Sequence, residues 1–147
     1  MKLRQLPPRV ATGAFVLHSG LQKWKGDEAT AEMLHGMACG AYPVFRKLSP
    51  QQFLRVLSCG EIATGSLLLA PFVPGAVAGA FLTGFSGALL GLYGRTPGMR
   101  EPGSVWPTQN GIALAKDSWM FGVGLGLLAD DATSCGCGCG RRCRCHR

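Results

Sequence analysis

Apolar residues are concentrated in long segments of this chain, and short polar stretches separate them. The longest such segment, residues 62–94, contains no Asp, Glu, Lys or Arg. A helix that crosses the hydrocarbon core of a bilayer needs about 20 apolar residues, so this segment can hold two such helices joined by a tight turn. The Pro-Phe-Val-Pro sequence at 71–74 predicts the turn, because proline cannot continue a helix.

The same pattern predicts four membrane-spanning helices, at about residues 6–21, 52–69, 74–93 and 111–129. Between the first two, Asp27 can cap a short helix with an apolar face over 27–38, which we expect to lie at the membrane interface. In the last span, Lys116 is interpreted as reaching outward and Asp117 as offsetting the helix dipole. The predicted fold class is all-α: an integral membrane four-helix bundle with a short interfacial helix between spans one and two.

Composition and charge refine this picture. The chain has 147 residues, of which 47% are hydrophobic and 16% charged, which predicts one membrane domain over 1–131. Residues 132–147 form a Cys/Arg-rich tail that we expect to be disordered. A net charge of +7 would suggest nucleic acid as a partner of a soluble protein, but the basic residues flank apolar segments or lie in the tail. We therefore expect a lipid bilayer as partner and no nucleic acid.

Small residues recur every fourth position in the third predicted span. Gly75, Gly79, Thr83, Gly87 and Gly91 share one helical face. Such a face lets helix backbones approach closely in lipid, where van der Waals packing replaces the hydrophobic drive. Helix packing within one subunit is the favoured interpretation, and a substrate passage or dimer seam is the alternative.

Glu61 is predicted to lie near the middle of the second span, where a carboxylate needs a partner or a proton. His18, Lys23 and Lys116 are the candidate partners. A Glu and a His inside a bundle can bind a quinone headgroup or relay protons, because burial shifts the pKa of both. The alternative is a neutral Glu61 that is hydrogen-bonded to a neighbouring helix and holds its register.

The tail contains closely spaced thiols that are candidate ligands of a soft metal ion such as Cu(I) or Zn(II). The spacing lacks the paired two-residue gaps of a structural zinc site, so a disordered tail with incidental cysteines is the favoured interpretation. The candidate metal residues are Cys135, Cys137, Cys139, Cys143, Cys145 and His146.

The order and spacing of several residues resemble the DoxX family of small bacterial four-helix membrane proteins. The resemblance covers roughly residues 9–129, and the tail lies outside it. The residues that carry it are Arg9, Gly13, Phe15, Ser19, Gly20, Lys23, Gly60, Glu61, Gly65, Lys116 and Asp117. It implies a four-span bundle and an association with redox physiology, since relatives include subunits of quinone-linked systems and partners of oxidative-stress enzymes.

The expected function is that of a subunit or partner of a quinone-linked or oxidative-stress membrane complex, with other membrane redox proteins as partners and a quinone as candidate cofactor. A non-catalytic membrane scaffold and a small transporter are the alternatives. A stand-alone enzyme is not expected, because no soluble-enzyme motif is legible. The expected location is the inner (plasma) membrane, multi-pass, with both termini cytoplasmic because of the basic residues around the first helix.

Overall fold

A computed structural model describes residues 2–109 and 111–135, and within these residues it is helical with no β-strand. The all-α prediction is therefore confirmed. Two 3₁₀ turns, Leu3–Gln5 and Pro43–Lys47, accompany the α-helices. The α-helices are α1 (Leu6–Trp24), α2 (Glu28–Ala41), α3 (Pro50–Leu69), α4 (Gly75–Arg95), α5 (Ile112–Ala115) and α6 (Asp117–Cys135).

Side chains at the helix starts satisfy backbone N–H groups that have no partner within the helix. Asp27 precedes α2 and accepts a hydrogen bond from the Thr30 amide at 2.9 Å, as its position in the sequence predicted. At α3, Ser49 accepts from the Gln52 amide, and the Gln52 side chain accepts from the Ser49 amide. The start of each of these two helices is therefore fixed by its N-cap residue, Asp27 for α2 and Ser49 for α3.

The prediction of one continuous helix at 111–129 is wrong. The short helix α5 ends at Ala115, and α6 begins at Asp117 and runs to Cys135. The Gly111 amide donates to the Thr108 carbonyl oxygen at 2.9 Å and ties the start of α5 to the preceding loop. At the other end α6 crosses the predicted boundary at 131, because the charges of Asp130 and Asp131 are paired with N-terminal residues.

The long helices pack as two antiparallel pairs, α1 with α3 and α4 with α6, and α2 lies against α3 and α4. Glycine permits both close approaches. A Cβ on Gly65 of α3 would lie 2.6 Å from the Leu17 backbone nitrogen, and a Cβ on Gly79 of α4 would lie 2.8 Å from the Gly124 carbonyl oxygen. The apolar core between the pairs contains Val16, Leu68, Ala78, Leu82, Met120 and Leu127.

The predicted small-residue strip of α4 has several neighbours. Gly79 and Thr83 contact Gly124 of α6, and Gly87 faces the Phe121 ring. At the ends of the strip, Gly75 meets Gln5 and Gly91 meets the Tyr42 hydroxyl. Gly122 and Gly126, which have the same four-residue spacing, face open space instead, so α6 contributes Gly124 to this contact.

One helix among the described residues, α4, is long and apolar enough to cross a membrane by length and composition. The helices α1, α3 and α6 have 19, 20 and 19 residues, which is close to the 21 of α4, but they carry more polar residues.

Candidate functional site

A buried ion pair joins α1 to α3. The Lys23 ammonium lies 2.8 Å from Oε1 and 3.0 Å from Oε2 of Glu61. The same Lys23 nitrogen donates to the Ser19 hydroxyl oxygen at 2.6 Å. The Glu61 side chain is 7% exposed and that of Lys23 is 24% exposed, so the carboxylate lies deeper than the ammonium.

Helical spacing and close backbone packing place this pair. Ser19 and Lys23 are four residues apart and therefore share a face of α1. The Ser58 hydroxyl donates to the Gly20 carbonyl oxygen at 2.6 Å, and a Cβ on Gly20 would lie 2.9 Å from the Glu61 Cβ. Only a glycine at position 20 lets the α3 backbone come near enough for Lys23 and Glu61 to meet.

The ion pair lines a cavity of about 310 Å³ that lies between the helix pairs and beneath α2. Its walls are mostly apolar and include three phenylalanine rings, from α1, α3 and α4. The polar groups that line it are the side chains of Ser19, Lys23, Glu61 and Asp117. A second apolar cavity of about 240 Å³ lies beside it and shares the lining residues Phe53, Leu57, Phe85, Leu89 and Leu92.

Asp117 was expected to be part of the local structure of a helix start, but the structure places it in this cavity. The residue is 8% exposed and lies in the first turn of α6. Within the described part of the chain, its carboxyl group forms no hydrogen bond or ion pair. The pattern of α6 could have revealed this position, because Asp117, Met120, Gly124 and Leu127 share the buried face.

The other predicted partners of Glu61 lie elsewhere. His18 is exposed on the outer side of α1, and no hydrogen bond or ion pair joins it to a described residue. It is one position from Ser19, which rotates it by about 100° around the helix axis. Lys116 is exposed, as its outward interpretation predicted. Of the three candidates, the structure therefore brings Lys23 to Glu61.

Arg9 joins α1 to the end of α3 through hydrogen bonds, a role that the sequence did not indicate. The residue is fully buried, and its guanidinium donates hydrogen bonds to four carbonyl oxygens. These carbonyls belong to the C-terminal end of α3 and the turn that follows it, where helix geometry leaves them without partners. The acceptors are Leu67 at 3.0 Å, Leu68 at 2.9 Å, Ala70 at 3.0 Å and Val73 at 3.0 Å.

A charged cluster ties the two ends of the described chain together. Lys2 lies 2.8 Å from Asp131 and 3.2 Å from Asp130, and Arg4 lies 2.6 Å from Asp130. Asp131 also accepts from the Ala76 amide at the start of α4 at 2.6 Å. Hydrogen bonds from Lys2 and from the Ala76 amide lower the pKa of Asp131 to about 2.

The described residues contain no group of three or more Cys, His, Asp or Glu side chains arranged to hold a metal ion. His35 and Cys39 on α2 lie 3.2 Å apart, between the His Nε2 and the Cys Sγ, and form a pair without a third ligand. The predicted metal residues of the tail lie outside the described residues, apart from the Cys135 backbone at the end of α6.

Comparison of the chain with protein-family models, curated protein sequences and solved structures found no match. The geometry therefore defines the site by itself: an apolar cavity inside a helical bundle, with an ion pair and a separate carboxyl group on its wall. An arrangement of this kind suits a molecule with an apolar ring or chain and a small polar head.

Proposed function

We propose that the chain is a DoxX-like four-span membrane protein that binds a quinone-type amphipathic molecule and acts as a subunit or partner of a membrane redox complex. The observation that carries the proposal is the cavity beside the Lys23–Glu61 pair. The proposed location is the inner (plasma) membrane, multi-pass, with both termini on the cytoplasmic side.

The distribution of polar and apolar side chains supports four spans. Polar residues such as Arg9, Glu61 and Ser86 are buried, while large apolar residues such as Phe15 and Phe81 are exposed. Water disfavours that arrangement, whereas lipid favours it, because polar groups in a bilayer face the bundle interior. The long helices have 19 to 21 residues, about 30 Å at 1.5 Å per residue, which matches the hydrocarbon thickness.

The charged cluster at the chain ends supports an even number of spans. Because Lys2 pairs with Asp130 and Asp131, the start of α1 and the end of α6 lie at the same end of the bundle. Antiparallel packing of four long helices has the same consequence. Both ends of the described chain then face the same side of the membrane.

The walls of the cavity support a ring-shaped apolar ligand with a polar head. The rings of Phe15, Phe53 and Phe85 offer flat apolar contacts, and Ser19, Lys23 and Glu61 form a polar wall. Quinones combine a flat ring that carries oxygen atoms with an apolar chain. The adjoining apolar cavity offers space for that chain.

Quinone binding to the purified protein in lipid nanodiscs tests this proposal. Titration with a short-chain benzoquinone is expected to quench the fluorescence of Trp119, whose ring lies 6.3 Å from that of Phe15 at the cavity wall. Phe85→Ala is expected to weaken binding at least about tenfold, because it removes one of the three rings that contact the ligand in the cavity. His18→Asn, on the exposed side of α1, is the control and should leave the affinity unchanged.

A non-catalytic scaffold is the second candidate, and one observation favours it. Lys23, Ser19 and Glu61 satisfy one another's hydrogen bonds without a ligand, as a pair that only holds two helices together would do. This function predicts proteins that copurify from native membranes at stoichiometric levels with both wild type and Glu61→Gln. Unchanged partners together with no quinone binding would favour the scaffold over the ligand-binding protein.

A further inference from the structure

We infer that the cavity selects the reduced form of its ligand, an amphipathic hydroquinone, and that Asp117 is the specificity-determining residue that accepts a hydrogen bond from a ligand hydroxyl. This inference rests on the proposed function, because it concerns the same cavity. It adds the chemical state of the ligand and a residue on α6 that does not belong to the ion pair.

The hydrogen-bond donors of the polar wall are already in use. A lysine ammonium has three N–H groups. That of Lys23 has three acceptors at hydrogen-bond distance, namely Ser19 Oγ and both carboxylate oxygens of Glu61. A quinone carbonyl, which can only accept a hydrogen bond, would have to displace one of these acceptors.

The acceptors of the cavity are not all in use. The Asp117 residue is 8% exposed and lines the cavity, and no described residue gives its carboxyl group a hydrogen bond or a charged partner at contact distance. An ionised carboxyl group can only accept hydrogen bonds, whereas a protonated one also donates, so the inference concerns the ionised form of Asp117. A buried carboxyl group without a hydrogen-bond partner is destabilising, so a ligand that donates a hydrogen bond to Asp117 removes that cost on binding.

The remaining walls of the cavity are apolar, so the ligand that fits them and also donates to Asp117 is a ring with hydroxyl groups. Apart from Ser19, Lys23, Glu61 and Asp117, the lining side chains are apolar, so they offer contacts to a ring and its chain but no further hydrogen bonds. A hydroquinone differs from its quinone by two hydrogen atoms, which turn both oxygens into hydrogen-bond donors. A hydroquinone can therefore donate a hydrogen bond to Asp117, and it keeps the flat ring that the phenylalanine side chains contact.

Three probes that share one ring and one short alkyl chain test the inference: the hydroquinone, its dimethyl ether and the quinone. Their affinities are measured for the full-length protein in nanodiscs at mildly alkaline pH, which keeps Asp117 ionised, and under anaerobic conditions, which keep the hydroquinone reduced. Wild type is expected to bind the hydroquinone at least about tenfold more tightly than the ether or the quinone, because each lacks the donor that Asp117 needs. The ether separates hydrogen bonding from redox chemistry.

The variant Asp117→Asn is expected to lose this preference, leaving the affinities of the three probes within about threefold, because an amide donates as well as accepts. Lys116→Gln, at the adjacent exposed position, is the matched control and should keep the preference.

Equal affinity of wild type for all three probes would overturn the inference and leave the proposed function in place. Retention of the preference in Asp117→Asn would overturn the role of Asp117. If none of the probes binds, the proposed function fails together with the inference.

Discussion

Arg9 Nε donates a hydrogen bond to the carbonyl oxygen of Leu68 at 2.9 Å, across the interface between α1 and α3. The other guanidinium nitrogens reach three more carbonyls around the turn that leads into α4. The last carbonyls of a helix have no partner within that helix, and inside a bilayer no water would replace them. One side chain of α1 therefore holds the connection between α3 and α4 in place.

Substitution of Arg9 by Lys is expected to lower the free energy of unfolding by about 3 kcal/mol, because an ammonium cannot reproduce the planar fork that reaches four carbonyls. Thermal unfolding in detergent measures the loss, and hydrogen exchange should report faster exchange at the α3–α4 turn. The control is Arg46→Lys on the exposed 3₁₀ turn, which should change stability little. Equal stability of the two variants would contradict this role of Arg9.

The Lys23–Glu61 pair should show measurable coupling in a double-mutant cycle. Lys23→Met leaves a buried carboxylate without its cation, and Glu61→Gln leaves a partly buried ammonium without its anion. Each single variant is expected to lose about 1–3 kcal/mol of stability, and the double variant is expected to lose less than the sum of the two. Chemical unfolding of the four proteins measures the coupling, and strict additivity would show that the two side chains are not energetically coupled.

Two glycines of α4 should respond in opposite directions to substitution by Ala. At Gly79 the new Cβ would lie 2.8 Å from the Gly124 carbonyl oxygen, so α4 and α6 must separate, and we expect a loss of about 1–3 kcal/mol. At Gly84 the Cβ would enter open space, and we expect no loss or a gain of up to about 1 kcal/mol. Thermal unfolding of both variants measures the change in stability. Similar destabilisation at both sites would mean that the loss at Gly79 does not come from separation of α4 and α6.

The charged cluster at the chain ends predicts a loss of stability in acid. Because the pKa of Asp131 is about 2 in the folded protein and 3.8 ordinarily, its contribution is fully present above about pH 4 and is lost as the pH falls towards 2. The groups that face this carboxylate are Lys2, Gln5, Asp130 and the Ala76 amide. Melting temperatures measured between pH 6 and pH 2 give the profile.

Asp131→Asn is the variant that isolates this contribution. It should be less stable than wild type at pH 6, and the difference should shrink as the pH approaches 2, because both proteins then carry an uncharged side chain at this position. High salt at pH 6 should reduce the difference as well, since the cluster lies near the surface. A difference that does not change with pH would assign the effect of the substitution to packing.

The helical architecture and half of the ion pair could be predicted from the sequence, for physical reasons. Proline and capping residues act locally, so the start of α2 at Asp27 and the turn before α4 could be predicted closely. Glu61 was predicted because a lone acidic residue in a long apolar stretch needs a partner. The choice of Lys23 over His18 depended on which face of α1 meets α3, and this face is set by glycines on both helices.

The role of Arg9 could not be assigned from the sequence, and that of Asp117 was missed, because each meets elements that are distant in sequence. Arg9 is 58 to 64 positions from the carbonyls that it contacts, and nothing near it in the sequence indicates them. Asp117 follows a break between α5 and α6, and the cavity that it lines is formed with residues of α1, α2, α3 and α4. The charges of Asp130 and Asp131 also made the last helix look shorter than it is. Their neutralising partners, Lys2 and Arg4, are at the other end of the chain and could not be foreseen.

The pairing of Lys2 with Asp130 and Asp131 has a consequence for chain connectivity. Since the first and last described segments lie side by side, a short linker can join them and new termini can be opened in the loop between α4 and α5. Such a circular permutant would keep the α1–α3 and α4–α6 pairs, although α6 would be synthesised before α1 and α4 would come last. The helices therefore keep the same neighbours whether the chain is opened beside Lys2 or in the loop between α4 and α5.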